Sequence, residues 1–389
     1  MSSVARPRVD SLDLVRGAVM VLMALDHVRD FFSDTPIDQM DLRPIWESPA
    51  LFFTRWVTHF CAPVFVFLAG TAAFLSGARG KTKGQLSWFL LTRGLFLVVM
   101  ELTVVELGWS FRLDVHFAFV QVIWAIGWSL VALAALVWLP LAAVSLFGLA
   151  MVGLHNLFDP VTVQQAGHWG WLWAVLHVPT EIAPSESVHV FVSYPLVPWI
   201  GVAAAGYGFG ALYRWEPARR RRALLRLGLG LTIGFLVLRA TGVYGDPRPW
   251  SPQKSLVASV TSFLDCQKYP PSLEFLLMTL GPAILALALL ERPVTGRLAR
   301  VLVVFGRVPF FYYVLHLYLA HGLAVLWAVT HYDMKLLRQL GPMDAPPGWG
   351  FGLPAVYAIW LAVVATLYLP CRWFADLKQR RKDTWLSYF

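Results

Sequence analysis

The sequence has 389 residues, of which 58% are hydrophobic and only 14% are charged. About a quarter of the residues in soluble domains are charged, so this composition excludes an ordinary soluble domain and indicates a polytopic membrane protein. The net charge of +9 would suit nucleic-acid binding in a soluble protein. Here the basic residues lie in short loops between apolar runs, which is the orientation signal of a membrane protein. We therefore expect no nucleic-acid partner.

The chain carries three widely separated cysteines, Cys61, Cys266 and Cys371. An odd and scattered set predicts neither a disulfide framework nor a Cys-x-x-Cys metal motif. The first apolar run is long, carries charged residues towards its end and is followed by no small-residue cleavage site. It therefore does not resemble a cleaved signal peptide, and we expect it to remain as the first membrane helix.

Apolar runs long enough to cross a bilayer recur along the whole chain. We predict an all-α bundle of about ten transmembrane helices that forms a single domain over residues 1–389. Leu139-Pro140 separates the fourth span from the fifth, and a proline there marks either a tight turn or a kink, so the sequence leaves this division open. The predicted spans are residues 12–32, 51–76, 87–109, 118–138, 140–157, 189–213, 223–242, 272–290, 301–329 and 352–371.

Basic residues cluster in one alternating set of connections. With ten spans these connections fall on one side, which the positive-inside rule assigns to the cytoplasm, and both termini lie there. The tail, residues 372–389, mixes aromatic and basic residues, so we expect it to lie along the inner leaflet. The basic residues of this set are Arg6, Arg8, Arg79, Lys81, Lys83, Arg214, Arg219, Arg220, Arg221, Arg222, Arg292, Arg297, Arg300, Arg372, Lys378, Arg380, Arg381 and Lys382.

The predicted outer loops are longer and rich in proline and aromatic residues. Residues 157–188 contain Trp169, Trp171 and Trp173, and residues 243–271 contain several prolines. Long ordered loops are often functional, and these tryptophans suit stacking on sugar rings. An interfacial aromatic belt explains each single tryptophan more simply. No internal repeat is visible, which counts against an inverted-repeat transporter.

The ninth predicted span contains two imidazoles and three tyrosines. Ionisable groups at membrane depth are costly, and they usually face a bundle interior or a wet cavity. Tyr312, Tyr313 and His316 are three or four positions apart and share a helix face, whereas His321 is rotated away from them. Packed core histidines are the simpler interpretation of either ring alone, so the case for function depends on the other spans.

Polar groups on three further spans are predicted to reach a similar depth in the outer half of the bundle. Residues scattered by chance would not favour one depth, and ionisable groups inside a membrane are functional hypotheses by default. A buried structural network without chemistry is the alternative. The converging residues are Asp26, His27, Arg29, Asp30, Arg55, His59, Glu101, Glu106, His316 and His321.

A carboxylate beside an imidazole fixes the tautomer of the ring and raises its basicity, as a general base requires. Asp26 and His27 are adjacent, so their side chains diverge by about 100° on a helix. We therefore expect Asp26 to orient His59 or His316 from another span. Neither a G-x-S-x-G nucleophile motif nor H-E-x-x-H occurs. Three or four histidines with carboxylates from different helices leave a metal site open but without support, and we predict none. A base without a nucleophile predicts direct transfer to an acceptor that the base deprotonates.

Several short motifs follow one another in order along nearly the whole chain. They are Asp10-Ser-Leu-Asp13-Leu-Val-Arg16-Gly17, Met23-Ala-Leu-Asp26-His27, Ala62-Pro63-Val-Phe65-Val-Phe67-Leu-Ala-Gly70, Leu91-Thr-Arg93-Gly94, Tyr194-Pro-Leu-Val-Pro198-Trp199 and Gly306-Arg307-Val-Pro309. This order resembles the transmembrane acyltransferases, in particular the catalytic domain of heparan-α-glucosaminide N-acetyltransferase and its uncharacterised bacterial relatives. The late Tyr-Val-Leu-His316 stretch is similar to a histidine motif of the wider membrane acyltransferase group.

The resemblance implies that an acetyl group is taken from acetyl-CoA and delivered to a sugar across the membrane. In the lysosomal relative an asparagine of the first helix and a histidine in the following loop are implicated. The asparagine falls on Asp26 here, and the loop histidine has no counterpart because residues 34–49 contain no histidine. Either His27 or His59 takes that role, or the chemistry differs. The glucosamine acceptor of the relative does not carry over.

We therefore expect an acyltransferase of a bacterial inner membrane that uses cytoplasmic acetyl-CoA and acylates a glycan or another envelope acceptor at the outer side. The predicted catalytic residues are Asp26, His27, His59, Glu101 and His316. We choose His316 as the general base, because it lies nearest mid-membrane and shares a helix face with two tyrosines. A proton-coupled small-molecule transporter is the alternative, since a buried His/Asp/Glu cluster is equally natural there. A non-catalytic membrane scaffold is a third interpretation, and the oligomeric state is left open.

The phosphates of CoA require arginine or lysine donors. We predict that Arg93 binds them, together with Arg79, Lys81 and Lys83 near the inner end of the third span. Positive-inside charge alone explains the last three residues. It does not explain Arg93, which lies within the span.

Overall fold

The computed structural model describes residues 10–35, 41–112, 116–291, 296–333, 335, 346, 348–381 and 383–389. Arg6, Arg8, Arg292 and Lys382, which enter the charge argument, lie outside the described residues. The protein is 73% helical, which confirms the all-α class. Its α-helices are α1 (Asp10–Phe32), α2 (Pro49–Thr58), α3 (Cys61–Gly77), α4 (Lys83–Met100), α5 (Glu106–Ser110), α6 (Val122–Leu136), α7 (Leu141–Leu154), α8 (Gly170–Leu176), α9 (Leu196–Phe209), α10 (Pro217–Thr241), α11 (Leu256–Leu264), α12 (Leu273–Leu289), α13 (Arg297–Arg307), α14 (Pro309–His331) and α15 (Leu353–Arg380).

Helices overlie each of the ten predicted spans. Among the described residues, seven helical segments are long and apolar enough to cross a membrane by length and composition. The number of crossings and the sides of the termini stay predictions. Helix α6 ends at Leu136 and α7 begins at Leu141 with Pro140 as its N-cap, so the fourth and fifth predicted spans are separate helices.

Two predicted spans are broken in the structure. The span 51–76 divides into α2 and α3 at His59, and the span 301–329 divides into α13 and α14 at Val308. In the second case Pro309 has no backbone N–H and so begins a new helix at its first turn. The last helix runs on to Arg380, past the predicted end of its span.

A small mixed sheet covers the bundle at the predicted outer face. Strand β3 pairs in parallel with β1 and antiparallel with β2. The predicted span 189–213 therefore starts too early, because its first residues are strand and α9 begins only at Leu196. Alternating valine and aromatic residues favour a strand once partners are present. The strands are β1 (Phe117–Val120), β2 (Thr180–Ser185) and β3 (Val188–Val192).

Helix α1 lies at the centre of the bundle, where it packs against α2, α3, α12, α13, α14 and α15. The pairs α4 with α6, α3 with α9, α7 with α9, and α10 with α12 surround it. Asp13, Arg16 and Asp26 of α1 each contact a residue of another helix, and several side chains of α1 line the interior spaces.

Helices α1 and α13 cross at two glycines. A Cβ on Gly17 would lie 1.9 Å from the carbonyl oxygen of Leu302, and a Cβ on Gly306 would lie 1.9 Å from that of Asp13. Small residues allow membrane helices to approach this closely. The Arg16 guanidinium also donates to the Gly306 carbonyl at 3.2 Å. The first and last motifs of the family resemblance thus pack against each other.

We predict that Gly17→Ala destabilises the protein, because overpacking a close contact typically costs about 1–3 kcal/mol. The matched control is Gly230→Ala in α10, where a Cβ meets no atom within 4 Å. Alanine there is expected to be neutral or stabilising by up to about 1 kcal/mol. Thermal unfolding in detergent measures both. Equal melting temperatures for the two variants would contradict the close crossing.

Candidate active site

A large cavity of about 750 Å³ lies among α1, α3, α4, α6 and α14 at the predicted inner face. Its size falls within the range of small-molecule sites, roughly 300–1,000 Å³. Among the described residues that line it, Asp13 is the only acidic one, so positive charge is in excess. The basic lining residues are Arg16, Arg79, Lys81, Arg93, Arg214, Arg307 and Lys378.

Arg93 projects into this large cavity without a counter-ion among the described residues. Its Nε atom is buried and has no hydrogen-bond partner, and its guanidinium lies 6.0 Å from the centroid of the Phe89 ring. The Lys81 ammonium lies 3.7 Å from the same centroid. Partial burial lowers the pKa of Lys81, and the charges of Arg93 and Arg79 lower it further. This group of cations therefore favours an anionic ligand.

Arg16 and Arg307 enter the cavity from the crossing of α1 and α13. They share the Asp13 carboxylate, at 3.3 Å from Arg16 and 4.0 Å from Arg307. The Lys378 ammonium donates to the Arg307 carbonyl at 3.4 Å. The close glycine contacts thus bring Arg16 and Arg307 together, and Lys378 joins them from α15.

A smaller polar pocket of about 30 Å³ adjoins the large cavity on the side of the predicted outer face. Met23, Val122 and Tyr313 line both spaces, and we call these three residues the waist. Arg16 and His27 are eleven residues apart on α1, which corresponds to about 16 Å along the helix axis. One helix therefore carries a cation of the large cavity at one level and a histidine of the polar pocket at another.

His27 and His316 form a hydrogen-bonded pair, with His27 Nδ1 2.7 Å from His316 Nε2. His316 Nδ1 lies 2.9 Å from the Tyr312 carbonyl oxygen, which can only accept, so Nδ1 carries the proton. In a neutral ring His316 Nε2 then accepts, and His27 Nδ1 donates to it. This chain of hydrogen bonds, from which the tautomers are assigned, leaves His27 Nε2 with a lone pair.

Only one ring of this pair meets the polar pocket. His27 lines the pocket, whereas His316 is fully buried and lines neither space. The ring of His27 is also held by two aromatic neighbours, with edge-on contacts to Trp109 at 4.8 Å and to Tyr313 at 5.8 Å between ring centroids. His27 can therefore contact a ligand in the polar pocket, and His316 supports the ring of His27 through their hydrogen bond.

Asp26 is held by guanidinium groups rather than by a histidine. Arg55 Nη1 donates to both carboxylate oxygens at 2.9 Å, Thr58 donates at 2.9 Å, and Arg29 lies 3.0 Å away. Arg29 also binds Asp30. In the part of the chain that the structure describes, Asp26 therefore makes neither of the expected contacts, with His59 or with His316. Charge-assisted bonds to arginine are roughly twice as strong as neutral ones.

Glu101 does not line the polar pocket, but it contacts Gln121, which does. It begins a short π-helix, Glu101–Val105, that interrupts the end of α4, and such π-bulges are frequent at functional sites. One oxygen of its buried carboxylate accepts from the backbone N–H of Gln121 at 2.5 Å. Gln121 itself lines the polar pocket, and its side-chain nitrogen is buried without a hydrogen-bond partner.

His59 and Lys83 lie apart from both spaces. His59 follows α2 directly, its ring centroid lies 5.4 Å from that of Phe275, and neither ring nitrogen has a hydrogen-bond partner. The Lys83 ammonium donates to the Trp138 carbonyl at 2.9 Å. The structure therefore does not place His59 or Lys83 beside a ligand in either space.

The nine residues chosen from the sequence divide into three groups. Asp26 and His27 line the polar pocket. Three of the basic residues line the large cavity, namely Arg79, Lys81 and Arg93. The remaining four line neither space, namely His59, Lys83, Glu101 and His316. Of the four side chains expected to face one cavity, Asp26, His59, Glu101 and His316, only Asp26 does so.

Sequence reasoning missed several residues that line the two spaces. Lys268 and Tyr269 reach the polar pocket from the proline-rich loop 243–271, and Lys268 is 6% exposed. A lysine between proline-rich segments was the only available signal. Arg16 and Arg307 stand inside the motifs of the family resemblance, so those motifs could have identified them.

Comparison with known proteins agrees with this architecture. The family model described as "Heparan-alpha-glucosaminide N-acetyltransferase, catalytic" matches residues 8–238. The match covers more than half of the 389 residues, and the chain belongs to this family. No curated protein matches the chain. Family membership and the apolar helices together indicate a membrane acetyltransferase. The matched range contains Asp26, His27 and Arg93, and His316 lies beyond it.

We predict that Arg55→Met lowers the free energy of unfolding by about 3–5 kcal/mol, because removing one partner of a buried ion pair leaves the other uncompensated. The double variant Asp26→Asn/Arg55→Met removes one charge of each sign, so it should cost clearly less than the sum of the two single variants. A double-mutant cycle of unfolding in detergent measures this coupling. Additive effects would contradict the ion pair.

Proposed function

We propose that the protein transfers an acetyl group from acetyl-CoA, bound in the large cavity, to an amine or hydroxyl of a glycan acceptor that enters the polar pocket from the outer side. The proposed setting is a bacterial inner membrane, with the donor supplied from the cytoplasm. The one observation that carries the proposal is that the two spaces adjoin at the waist, where Met23, Val122 and Tyr313 line both. A basic cavity lies on one side of the waist, and a pocket with a histidine lies on the other.

The large cavity has the chemistry that a CoA thioester requires. The phosphates at one end of CoA need arginine and lysine donors, and the seven basic residues of the cavity supply them. The arm between the phosphates and the sulfur is long and less polar, and it would follow the apolar wall that Met20, Leu97 and Ile126 form with their neighbours. The acetyl group would then reach the waist.

The polar pocket has the size of a reacting group rather than of a whole acceptor. A volume of about 30 Å³ holds roughly one or two water-sized groups, which suits an amine or a hydroxyl. The rest of the acceptor would lie towards the outer loops, where Trp169 and Trp171 are 56% and 55% exposed. Stacking of these rings on a sugar supports a glycan acceptor, and so does the family name.

The proposed reaction is a direct transfer without an acyl-enzyme intermediate. His27 Nε2 accepts a proton from the acceptor while the acceptor nitrogen or oxygen bonds to the thioester carbonyl carbon. The carbon–sulfur bond then breaks, and the proton on His27 passes to the CoA sulfur that leaves. His27 is therefore unchanged at the end of the cycle, as a general base is. The side-chain nitrogen of Gln121, which has no hydrogen-bond partner among the described residues, is suited to donate to the carbonyl oxygen.

Within this proposal His316 is a positioning residue and His27 is the base. The sequence favoured His316 for its predicted depth and its tyrosine neighbours. Neither feature says which of the two rings meets a ligand. His316 acts through His27, since its Nε2 accepts the His27 Nδ1 proton and so sets the tautomer. Glu101 has a comparable supporting role through the backbone of Gln121.

We predict that His27→Ala lowers acetyl transfer by about 10²–10⁴-fold, the usual contribution of a general base, with unchanged affinity for CoA. His316→Ala should reduce the turnover number and shift the pH–rate profile, because the His27 tautomer is no longer set. The exposed His331 at the end of α14 provides the control, His331→Ala. Thiol release from acetyl-CoA, with glucosamine as a probe acceptor, measures the rates. A folded His27→Ala variant with wild-type turnover would exclude His27 as the base.

We predict that Arg93→Ala weakens CoA binding by about 10- to 100-fold, since a hydrogen bond to a charged group contributes roughly 1.5–3 kcal/mol. Lys83→Ala is the matched control, because Lys83 belongs to the same basic segment but does not line the cavity. Calorimetry with CoA in detergent measures both affinities. Equal weakening by the two substitutions would indicate general surface charge rather than a phosphate site.

A further inference from the structure

A second cluster of ionisable side chains lies at the predicted outer face, away from both spaces. His155 begins the 3₁₀ turn that follows α7, Asp159 caps this turn, and His177 follows α8. Two segments about twenty residues apart in sequence thus place two imidazoles and one carboxylate together. None of the three residues lines the large cavity or the polar pocket.

The three side chains have the spacing of metal ligands. One ligand atom from each lies within 4.8 Å of those from the other two, and His177 Nε2 is 2.9 Å from Asp159 Oδ1. Zinc binds histidine nitrogen and carboxylate oxygen at about 2.0–2.2 Å with tetrahedral geometry. Ligand atoms of such a site are about 3.4 Å apart, so small side-chain rotations would close the set around an ion.

Burial of the imidazoles is the second observation. His155 and His177 are each 1% exposed, and within the described part of the chain neither ring nitrogen of His155 makes a hydrogen bond of good geometry. A buried polar group without a partner is costly. His177 and Asp159 contact each other. His155 has no such hydrogen bond among the described residues. A cation between the three groups would give each of them one bond to the ion, and Asp159, at 14% side-chain exposure, gives a route from the surface.

The surroundings of the cluster resemble the outer ligand shell of a metal site. Asp159 Oδ2 accepts from the Asn156 side-chain nitrogen at 2.8 Å, and the Asn156 oxygen accepts from the backbone N–H of Leu273 at 2.9 Å. Ligating carboxylates are commonly held in this way. These bonds join the cluster to the start of α12, directly after the loop that carries Lys268 and Tyr269.

We propose that His155, Asp159 and His177 bind a divalent transition-metal ion of the zinc class, with a water molecule as the expected fourth ligand. Two nitrogen ligands favour zinc and its neighbours over magnesium and calcium, which prefer oxygen. The ion fixes the end of α7 to α8 and, through Asn156, to α12. The proposal does not depend on acetyl transfer.

The cluster of Asp246, Cys266 and Glu274 has a similar spacing but a different explanation. Arg239 lies among these residues, 3.0 Å from Glu274 and 3.9 Å from Asp246. A guanidinium already supplies positive charge there, so an ion is not required.

The test uses full-length protein without a polyhistidine tag, stripped with EDTA and then dialysed against zinc. Elemental analysis should find one zinc per chain in the wild type and in His168→Gln, an exposed histidine of the same loop. His155→Gln and His177→Gln should lose this zinc. Zinc should raise the melting temperature of the first two proteins only, whereas magnesium and calcium should raise that of none.

Two further measurements keep the outcome clear if a variant folds poorly. In EDTA all four proteins should elute alike and melt at similar temperatures. In the wild type Co²⁺ should give the intense visible absorption of a four-coordinate site, a measurement that needs no variant. Wild-type protein that retains no zinc, His155 and His177 variants that retain as much as wild type, or a six-coordinate Co²⁺ spectrum would each overturn the proposal.

Discussion

A carboxylate buried at membrane depth is tolerated only when positive charge lies beside it. Asp26 meets this condition through Arg55, which is fully buried, and through Arg29. The Asp26–Arg55 ion pair joins the C-terminal half of α1 to α2, and Asp30 balances the guanidinium of Arg29. Arg55 and Arg29 bind the carboxylates of Asp26 and Asp30. The neighbouring His27 and His316 therefore bond to each other rather than to a carboxylate. The position of the histidine pair thus depends on the ion pair beside it.

Helix α1 connects the two halves of the proposed site. Its N-terminal half crosses α13 at Gly17, and this crossing brings Arg16 and Arg307 to the large cavity. Its C-terminal half brings Asp26 and His27 to the polar pocket. A helix held at both ends by close packing and by an ion pair is a rigid element, and rigid elements hold a reactive geometry well. In the proposed reaction, this arrangement would let the donor and acceptor sides meet at one histidine.

The sequence predicted the helical class and the helix positions well, because run length and apolar content depend on local composition. It also indicated that Arg93 has a function, since a cation inside an apolar span is costly. It could not separate His27 from His316, because depth along a helix does not say which side chain faces a cavity. The sequence also did not predict that Lys268 lines the polar pocket, since this residue belongs to a loop that is distant in sequence. The strand β3 was read as helix because strand pairing depends on partners elsewhere in the chain.

The central claim is that one donor molecule extends from the basic cavity to the waist beside His27. The most direct test is an electron cryomicroscopy structure with a thioether analogue of acetyl-CoA, which cannot transfer its acetyl group. The account predicts phosphate density against Arg93 and Arg16, and the acetyl end among Met23, Val122 and Tyr313. Phosphates bound outside the large cavity, or a reactive end directed away from His27, would contradict it.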